Sequence, residues 1–158
     1  MIFIALGTQA NDFSRCIKSF EIVIKKFGIR EKVVVQLGNT IYKSPLMESF
    51  DFIDENSFQN YMREATVIIT HAGSGALFSA IKKKKKIIAV ARLSKYGEMI
   101  DDHQTELCRK LSEEGYLIDG TYDMLSAWKK ISSFRPREND FKCSLPENIA
   151  KQIDAYLR

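Results

Sequence analysis

Residues 66–81 read TVIITHAGSGALFSAI, and this stretch decides the fold. An apolar run rich in β-branched residues leads into HAGSG at positions 71–75, after which apolar residues return at helical spacing. The pattern predicts a buried strand over 66–70, a glycine turn and a helix over about 75–84. A buried strand that passes through glycines into a helix is typical of an α/β protein.

The alternation of strands and helices continues on both sides of this stretch. The predicted strands cover residues 1–6, 32–37, 48–53, 66–70, 86–91 and 116–118. The predicted helices cover 13–27 with Gly28 as the stop, a segment from a cap at Asn56 or Ser57 to Glu64, 75–84, a segment from a cap at Asp101 or Asp102 to Glu114, and 122–131. We expect a loop over 132–144 and a final helix that Pro146 opens.

This alternation predicts a single α/β domain over residues 1–158, in which the last 25 residues or so form a loop and a helix. The sheet should be Rossmann-like and mostly parallel, with right-handed crossovers and helices on both faces. Hydrophobic residues make up 45% of the chain and charged residues 28%, which is an ordinary globular composition. The net charge of +4 is too small to predict a nucleic-acid partner.

The apolar start of the chain and its cysteines bear on the compartment. No basic residue precedes the first six apolar residues, and no apolar run reaches the roughly 20 residues of a membrane span, so we expect neither a signal peptide nor an anchor. Cys16, Cys108 and Cys143 are odd in number and lack the spacing of a zinc or redox site. They predict a reducing, cytoplasmic setting and buried, inert thiols.

The loops after the first, fourth and fifth strands are the candidate ligand-binding segments, because ligands of parallel sheets bind at the carboxyl ends of the strands. These loops are residues 7–9, 71–76 and 92–104. The glycine turn that opens the third helix offers free backbone N–H groups to a phosphate or diphosphate. The alternative is that Gly73 and Gly75 serve only the turn and close helix packing.

Other chemistries have weaker support in the sequence. A dinucleotide fingerprint belongs to the first βα turn and needs an acidic residue about 20 positions on, so we expect no nicotinamide cofactor. The polar groups at 71 and 101–103 lack the spacing of a metal site, and no metal is expected. His71 is either a hydrogen-bonded turn residue or a catalyst. The five lysines at 82–86 either stabilise the C-terminal end of a helix, where the helix dipole favours cations, or bind anionic lipid headgroups.

Four segments of the chain, taken in order, resemble the C-terminal, donor-binding half of family 28 glycosyltransferases. They are IFIALGTQ, QLGNTIYK, ITHAGSGALFSAI and KYGEMIDDHQTEL. Together they cover residues 1 to about 118. Within that family the chain is similar to the small stand-alone PssE-type proteins of bacterial exopolysaccharide and capsule synthesis. It is also similar to the catalytic subunit of the eukaryotic dolichol-linked N-acetylglucosamine transferase.

The resemblance implies one half of a GT-B architecture and an inverting hexosyl transfer from a UDP-sugar, without a metal ion or other cofactor. It implies a lipid-linked sugar acceptor and a membrane-associated partner that binds this acceptor. The complex would be heteromeric, and the chain cytoplasmic and held at the inner face of the membrane through that partner. A non-catalytic regulatory or scaffolding subunit of such a complex is the alternative.

The resemblance also implies roles for individual residues. His71 and Asp102 are candidate bases, and the partner is another source of the base. Ser79 stands where family members often carry a glutamate that grips the ribose, which favours the non-catalytic alternative. The residues implied to contact the donor are Gly7 and Thr8 at the interdomain cleft, Gly73, Ser74 and Gly75 at the diphosphate, and Glu98, His103 and Gln104 near the donor sugar.

Overall fold

The structure is a computed structural model, and it describes residues 1–137. The strands in this range are β1 (Ile2–Ala5), β2 (Val33–Gln36), β3 (Glu48–Phe50), β4 (Val67–His71), β5 (Lys86–Val90) and β6 (Ile118–Asp119). The helices are α1 (Ser14–Phe27), α2 (Glu55–Glu64), α3 (Ser74–Lys82), α4 (His103–Glu113) and α5 (Met124–Ile131). A single 3-10 turn, Ser94–Tyr96, lies between β5 and α4.

The six strands form one sheet in the order β3-β2-β1-β4-β5-β6, and each neighbouring pair is parallel. This doubly wound order confirms the predicted Rossmann-like fold. The chain moves outward in one direction from β1 to β3 and in the other from β4 to β6. The topological switch point therefore lies between β1 and β4, where Ala5 is paired with Thr70.

Helices cover both faces of the sheet, which explains why the strands are continuous apolar runs. Ile2 and Ile4 of β1 pack into the core under α1 and α5, whereas Phe3 and Ala5 pack into the core under α2, α3 and α4. All four residues are at most 1% exposed. Aromatic contacts close each layer, with ring centroids 5.2 Å apart for Phe20 and Trp128 and 5.4 Å apart for Phe3 and Tyr61.

Helix α2 begins earlier than the sequence predicted. Its N-cap is Asp54, so the expected cap at Asn56 or Ser57 was wrong. The Asp54 carboxylate accepts hydrogen bonds from the backbone N–H of Ser57 at 3.0 Å and from its hydroxyl at 2.6 Å. These bonds hold the pKa of Asp54 below its usual value. Asp54 is the cap because its carboxylate reaches the free N–H of Ser57 at the third helical position.

The other elements lie close to their predicted positions. Gly28 ends α1 in the left-handed conformation, as expected, and Asp102 is the N-cap residue of α4. The sixth strand is Ile118–Asp119, whereas the predicted strand began at residue 116. Residues 138–144 of the expected loop and the helix expected from Pro146 lie outside the described residues.

The lysine run at 82–86 is used largely inside the fold. The ammonium groups of Lys85 and Lys86 donate to carbonyl oxygens at the C-terminal ends of α2 and α5, on opposite faces of the sheet. Lys83 donates to the Gln59 side chain at 2.7 Å. A cation at a helix C-terminus is favourable, so these contacts account for much of the basic run without an anionic lipid. The carbonyl acceptors belong to Arg63, Ala65, Ile131 and Ser132.

Two of the three cysteines lie within the described range, and both are buried there. Cys16 and Cys108 are free thiols with no exposed surface. Burial raises the pKa of each thiol to about 12, which keeps both protonated and unreactive at neutral pH. Cys143 lies outside the described residues.

Lys84 follows α3 in the left-handed conformation, with φ of 53°, where a side chain is strained. Lys84→Gly should raise the free energy of unfolding by roughly 0.5–1 kcal/mol. Glycine relieves the strain of the folded state, and the greater freedom it gives the unfolded chain offsets part of this gain. Lys82→Gly, in the last turn of α3, should lower it by up to about 1 kcal/mol. Urea denaturation measures the free energy of unfolding of both variants. A change in the same direction for both would contradict the strain that we place at Lys84.

Candidate functional site

An open cleft lies at the C-terminal ends of β1, β2 and β4, beside the switch point. Its volume is about 470 Å³. One wall is the glycine turn and the start of α3, and the other is the segment that leads from β3 into α2. The lining residues are Ala5, Gly7, Thr8, Gln36, Phe52, Ile53, Glu55, Phe58, His71, Gly73, Ser74, Gly75 and Ala76.

The imidazole of His71 packs directly against two glycine backbones. A Cβ atom built on Gly7 or on Gly73 would overlap the ring of His71. Gly7 also has φ of 80°, which disfavours any side chain there. A Cβ on Gly38 would in turn overlap the carbonyl oxygen of Gly7. These three glycines are therefore required by the close approach of the loops after β1, β2 and β4.

Gly75 differs from these glycines. A Cβ built there would meet no described atom within 4 Å, and its φ is not in the left-handed region. Within a helix, glycine is less stable than alanine by about 1 kcal/mol, so the fold gains nothing from it. Because Gly75 lines the cleft, its missing side chain leaves room for a ligand to reach the backbone.

The N-terminus of α3 faces the same cleft. Gly73 is its N-cap, and no side chain of residues 1–137 caps it. The first helical hydrogen bond runs from the N–H of Leu77 to the carbonyl of Gly73, so the N–H groups before it lack helical partners. Free N–H groups and the positive end of the helix dipole bind anions. Ser74 and Gly75 are exposed at this end.

His71 is held in its neutral form. Its Nδ1 lies 3.5 Å from the carbonyl oxygen of Ala5. Burial, reinforced by the positive charge of Arg92, lowers the pKa of His71 to about 4. The imidazole is therefore uncharged at pH 7 and a weak proton acceptor. Its position suits a hydrogen-bonding role that shapes the turn.

The loop after β5 is built around a buried ion pair. Glu98 is 3% exposed, and its carboxylate oxygens accept hydrogen bonds from Nε and Nη2 of Arg15, each at 2.9 Å. One of these oxygens also accepts from the N–H of Leu93 at 2.9 Å. The carboxylate predicted to approach a sugar is thus engaged in holding its own loop against α1. We do not include Glu98 in the proposed donor site.

Arg92 joins this loop to the loop after β1. The side chain is 1% exposed, and Nη2 and Nη1 donate to the carbonyl oxygens of Leu6 at 3.0 Å and Asn11 at 2.9 Å. The backbone N–H of Arg92 donates to Oε1 of Gln104 at 3.1 Å. Gln104 is 4% exposed, so its amide lies beneath the surface. Sequence reasoning missed Arg92, although a lone cation directly after the apolar β5 was a signal for it.

Asp102 and His103 are exposed at the start of α4. Asp102 accepts a hydrogen bond from the N–H of Ser94 at 2.7 Å, which holds the preceding turn, and His103 contacts Asp101. Neither of the two lines the cleft. The structure thus gathers six predicted residues around the cleft and leaves four on the loop beyond Arg92. The first group is Gly7, Thr8, His71, Gly73, Ser74 and Gly75; the second is Glu98, Asp102, His103 and Gln104.

The wall opposite α3 was also missed. It consists of Phe52, Ile53, Glu55 and Phe58, with Gln36 at the floor. Two signals were present in the sequence: Gln36 ends an otherwise apolar strand, and Phe52 is an apolar residue just before a helix. In the structure Phe52 is 56% exposed. Neither signal shows which other loop it will face.

The parallel sheet with an open helix N-terminus at its switch point defines a doubly wound α/β domain. The same fold forms part of solved glycosyltransferases. The chain superposes on CalG4, the calicheamicin glycosyltransferase, with a TM-score of 0.60 and 15% identity, covering 99% of this chain and 41% of that one. SnogD from Streptomyces nogalater superposes with a TM-score of 0.56 and 15% identity, covering 98% of this chain and 43% of that one. Both are GT-B glycosyltransferases.

The model of the glycosyltransferase family 28 C-terminal domain matches residues 1–140, and the chain belongs to this family. It is similar to UDP-N-acetylglucosamine transferase subunit ALG13 of Homo sapiens, with 24% identity over 133 residues, and of Mus musculus, with 25% over 137 residues. These matches cover 79% and 82% of this chain but 11% of each relative. An NMR structure of ALG13 superposes with a TM-score of 0.63 and 15% identity, covering 96% of this chain and 93% of that one.

The two glycines of the turn should respond oppositely to alanine. Gly73→Ala should lower the free energy of unfolding by more than about 1 kcal/mol, because the new methyl group overlaps His71. Gly75→Ala should raise it by roughly 0.5 kcal/mol, because the site is open and alanine favours the helix. Urea denaturation measures both values. Equal effects at the two positions would contradict this division between packing and ligand space.

The buried His71 should make stability depend on pH. Because its folded pKa is about 4, against 6.5 for an ordinary histidine, the unfolded chain binds the proton first as pH falls. Stability from this group is complete above pH 6.5 and declines between 6.5 and 4, by roughly 3 kcal/mol at 1.4 kcal/mol per pKa unit. An NMR titration of His103→Asn, which leaves a single histidine signal, checks the value directly. A midpoint near 6.5 would contradict it.

Proposed function

We propose that the chain is the donor-binding subunit of a glycosyltransferase that transfers a hexose from a UDP-sugar. The observation that supports this proposal most directly is the uncapped N-terminus of α3. There Gly75, which has no side chain, lines a cleft of about 470 Å³. Diphosphate is a doubly anionic group that such an N-terminus accommodates. Relatives named as UDP-N-acetylglucosamine transferase subunits support a UDP-linked donor.

The cleft suggests how the nucleotide would lie. The diphosphate would accept hydrogen bonds from the N–H groups around Ser74 and Gly75. The nucleoside would extend over the end of β1 towards the opposite wall, where Phe52 and Ile53 offer apolar surface to a base. Phe52 is 56% exposed, which leaves its ring free for stacking.

The donor sugar would point the other way, past Gly7 and Thr8 towards the loop after β5. Gln104 lies on that side, and its Oε1 is already bonded to the N–H of Arg92. Because its amide is buried, Gln104 would position this loop from beneath and would not contact the sugar itself. His103, exposed beside it, would take part at the rim.

Inverting transfer needs a base for the acceptor hydroxyl and stabilisation of the departing diphosphate. In this proposal the N–H groups of α3 stabilise the leaving group, in place of a metal ion. His71 is a poor base because its pKa is about 4, so we assign it to shaping the turn. Asp102, with its exposed carboxylate, is the candidate base within the chain. The partner is the alternative source.

The acceptor site would lie in a second protein. The chain matches 43% and 41% of the two GT-B enzymes compared above, so their other half has no counterpart in these residues. We propose that a membrane-associated partner supplies it, with a lipid-linked sugar as acceptor in exopolysaccharide or capsule synthesis. The chain would then act in the cytoplasm at the inner membrane face. Within residues 1–137, no helix is long and apolar enough to cross a membrane.

A non-catalytic regulatory or scaffolding subunit is the second candidate. Ser79 favours it, because this α3 position offers no carboxylate for a ribose and its hydroxyl is bonded to Gln59 at 3.4 Å and to Lys83 at 3.1 Å. Transfer activity measured with the partner separates the candidates. Loss of activity in Ser74→Trp with the complex intact supports the enzyme, whereas a complex that keeps its activity in this variant supports the scaffold.

The direct test of the proposal is calorimetric titration with UDP and several UDP-sugars. We expect wild-type chain to bind UDP and Gly75→Ala to bind roughly tenfold more weakly, as for one lost charge-assisted hydrogen bond. Ser74→Trp should block binding by filling the cleft. Ser132→Ala is the control, because Ser132 is exposed at the end of α5 and does not line the cleft.

Failure of the wild-type chain to bind UDP or any UDP-sugar would contradict the donor-site proposal. Equal weakening by Ser132→Ala and Gly75→Ala would contradict the placement of the diphosphate at α3.

A further inference from the structure

Gln36 is a polar residue at a buried position at the end of β2. It lies at the floor of the cleft and is 8% exposed. Its Oε1 is buried and has no hydrogen-bond partner among residues 1–137. A buried acceptor without a partner destabilises the protein that carries it, so such an atom calls for an explanation.

The position of Gln36 in the sheet relates it to the ligand site. Gln36 is the last residue of β2 and is paired with Ala5, which on its other side is paired with Thr70 of β4. Gln36 and Thr70 are thus two strand spacings apart, about 10 Å. Side chains alternate along a strand, so Gln36 faces the same side as Val34, towards the layer of α2 and α3.

We infer that Gln36 binds the nucleoside portion of the nucleotide donor, and not its diphosphate. The inference rests on the proposed function, in which the diphosphate lies at the start of α3, directly after β4. Gln36 is displaced from that point by about the length of a nucleoside, in the direction of Phe52 and Ile53. It therefore lies under the part of the ligand that joins the diphosphate to the apolar wall.

The amide suits this part of the ligand chemically. It carries one acceptor oxygen and two N–H donors, and rotation about its terminal bond turns either group towards the cleft. Ribose hydroxyls and the base both offer hydrogen-bond donors to the oxygen. On α3 the hydroxyl of Ser79 is engaged by Lys83 and Gln59. Gln36 supplies an acceptor from the opposite side of the cleft.

Gln36→Met tests the inference, because methionine has a similar length and volume but no amide. In the ligand-free chain the variant should be as thermally stable as wild type or more so, since it removes an unsatisfied buried acceptor. Its affinity for UDP should fall about tenfold, as expected for one hydrogen bond in a buried site. Ile22→Met, an exposed and uncharged change on α1 outside the cleft, is the matched control and should leave both values unchanged.

Three analogues identify the group that Gln36 contacts: 2′-deoxy-UDP, 3′-deoxy-UDP and CDP. Removal of the contacted hydroxyl should weaken binding to wild type and have no further effect on Gln36→Met. If neither hydroxyl behaves in this way, loss of the UDP-to-CDP preference in the variant places the contact on the base. Gln36→Asn keeps the amide but withdraws it, and should bind UDP with intermediate affinity.

The outcomes separate the two proposals. UDP binding by wild type with unchanged affinity in Gln36→Met overturns the role of Gln36 and leaves the proposed function standing. A fall in thermal stability that accompanies the loss of affinity also overturns it, because the amide then supports the fold. Retention of every analogue preference in the variant overturns the nucleoside contact. No UDP binding by wild type overturns both proposals.

Discussion

The contact of the His71 imidazole with the backbones of Gly7 and Gly73 determines the geometry of the switch point. The ring occupies the space that side chains at both positions would fill, so the loops after β1 and β4 can approach each other closely. Burial beside Arg92 keeps the ring neutral, which avoids a second buried cation. This packing places the uncapped N-terminus of α3 at the cleft, where we propose that the diphosphate binds.

The buried guanidinium of Arg92 is the second constraint, on the other side of β1. It satisfies carbonyl oxygens of the β1 loop, while its backbone N–H holds Gln104. The neighbouring pair of Arg15 and Glu98 fixes the loop after β5. Charges buried together in this way are stable only when their hydrogen bonds are largely satisfied. The acidic and amide groups of this loop are therefore largely structural, and its exposed members Asp102 and His103 are left for contacts with a ligand or partner.

The sequence predicted the order and type of the elements within residues 1–137, because the central strands are largely apolar runs and the helices have apolar residues at helical spacing. The errors lie at element ends, where single hydrogen bonds decide. Asp54 displaced the expected cap of α2 by bonding Ser57 twice, and the sixth strand began later than the apolar run that contains it. The glycine turn and the helix that follows it could be predicted because their pattern is local, and anion binding there stays a prediction.

By itself, the sequence determined that the chain folds as a doubly wound α/β domain and that Gly73, Ser74 and Gly75 open a helix towards the ligand edge. Only the tertiary structure decided which residues share that edge. It brought Gln36 and Phe52 to the cleft and placed the carboxylate of Glu98 in an internal ion pair. The reason is that the order of the strands, and the face of the sheet to which each side chain points, bring together residues far apart in the chain. No local pattern of residues encodes those neighbours.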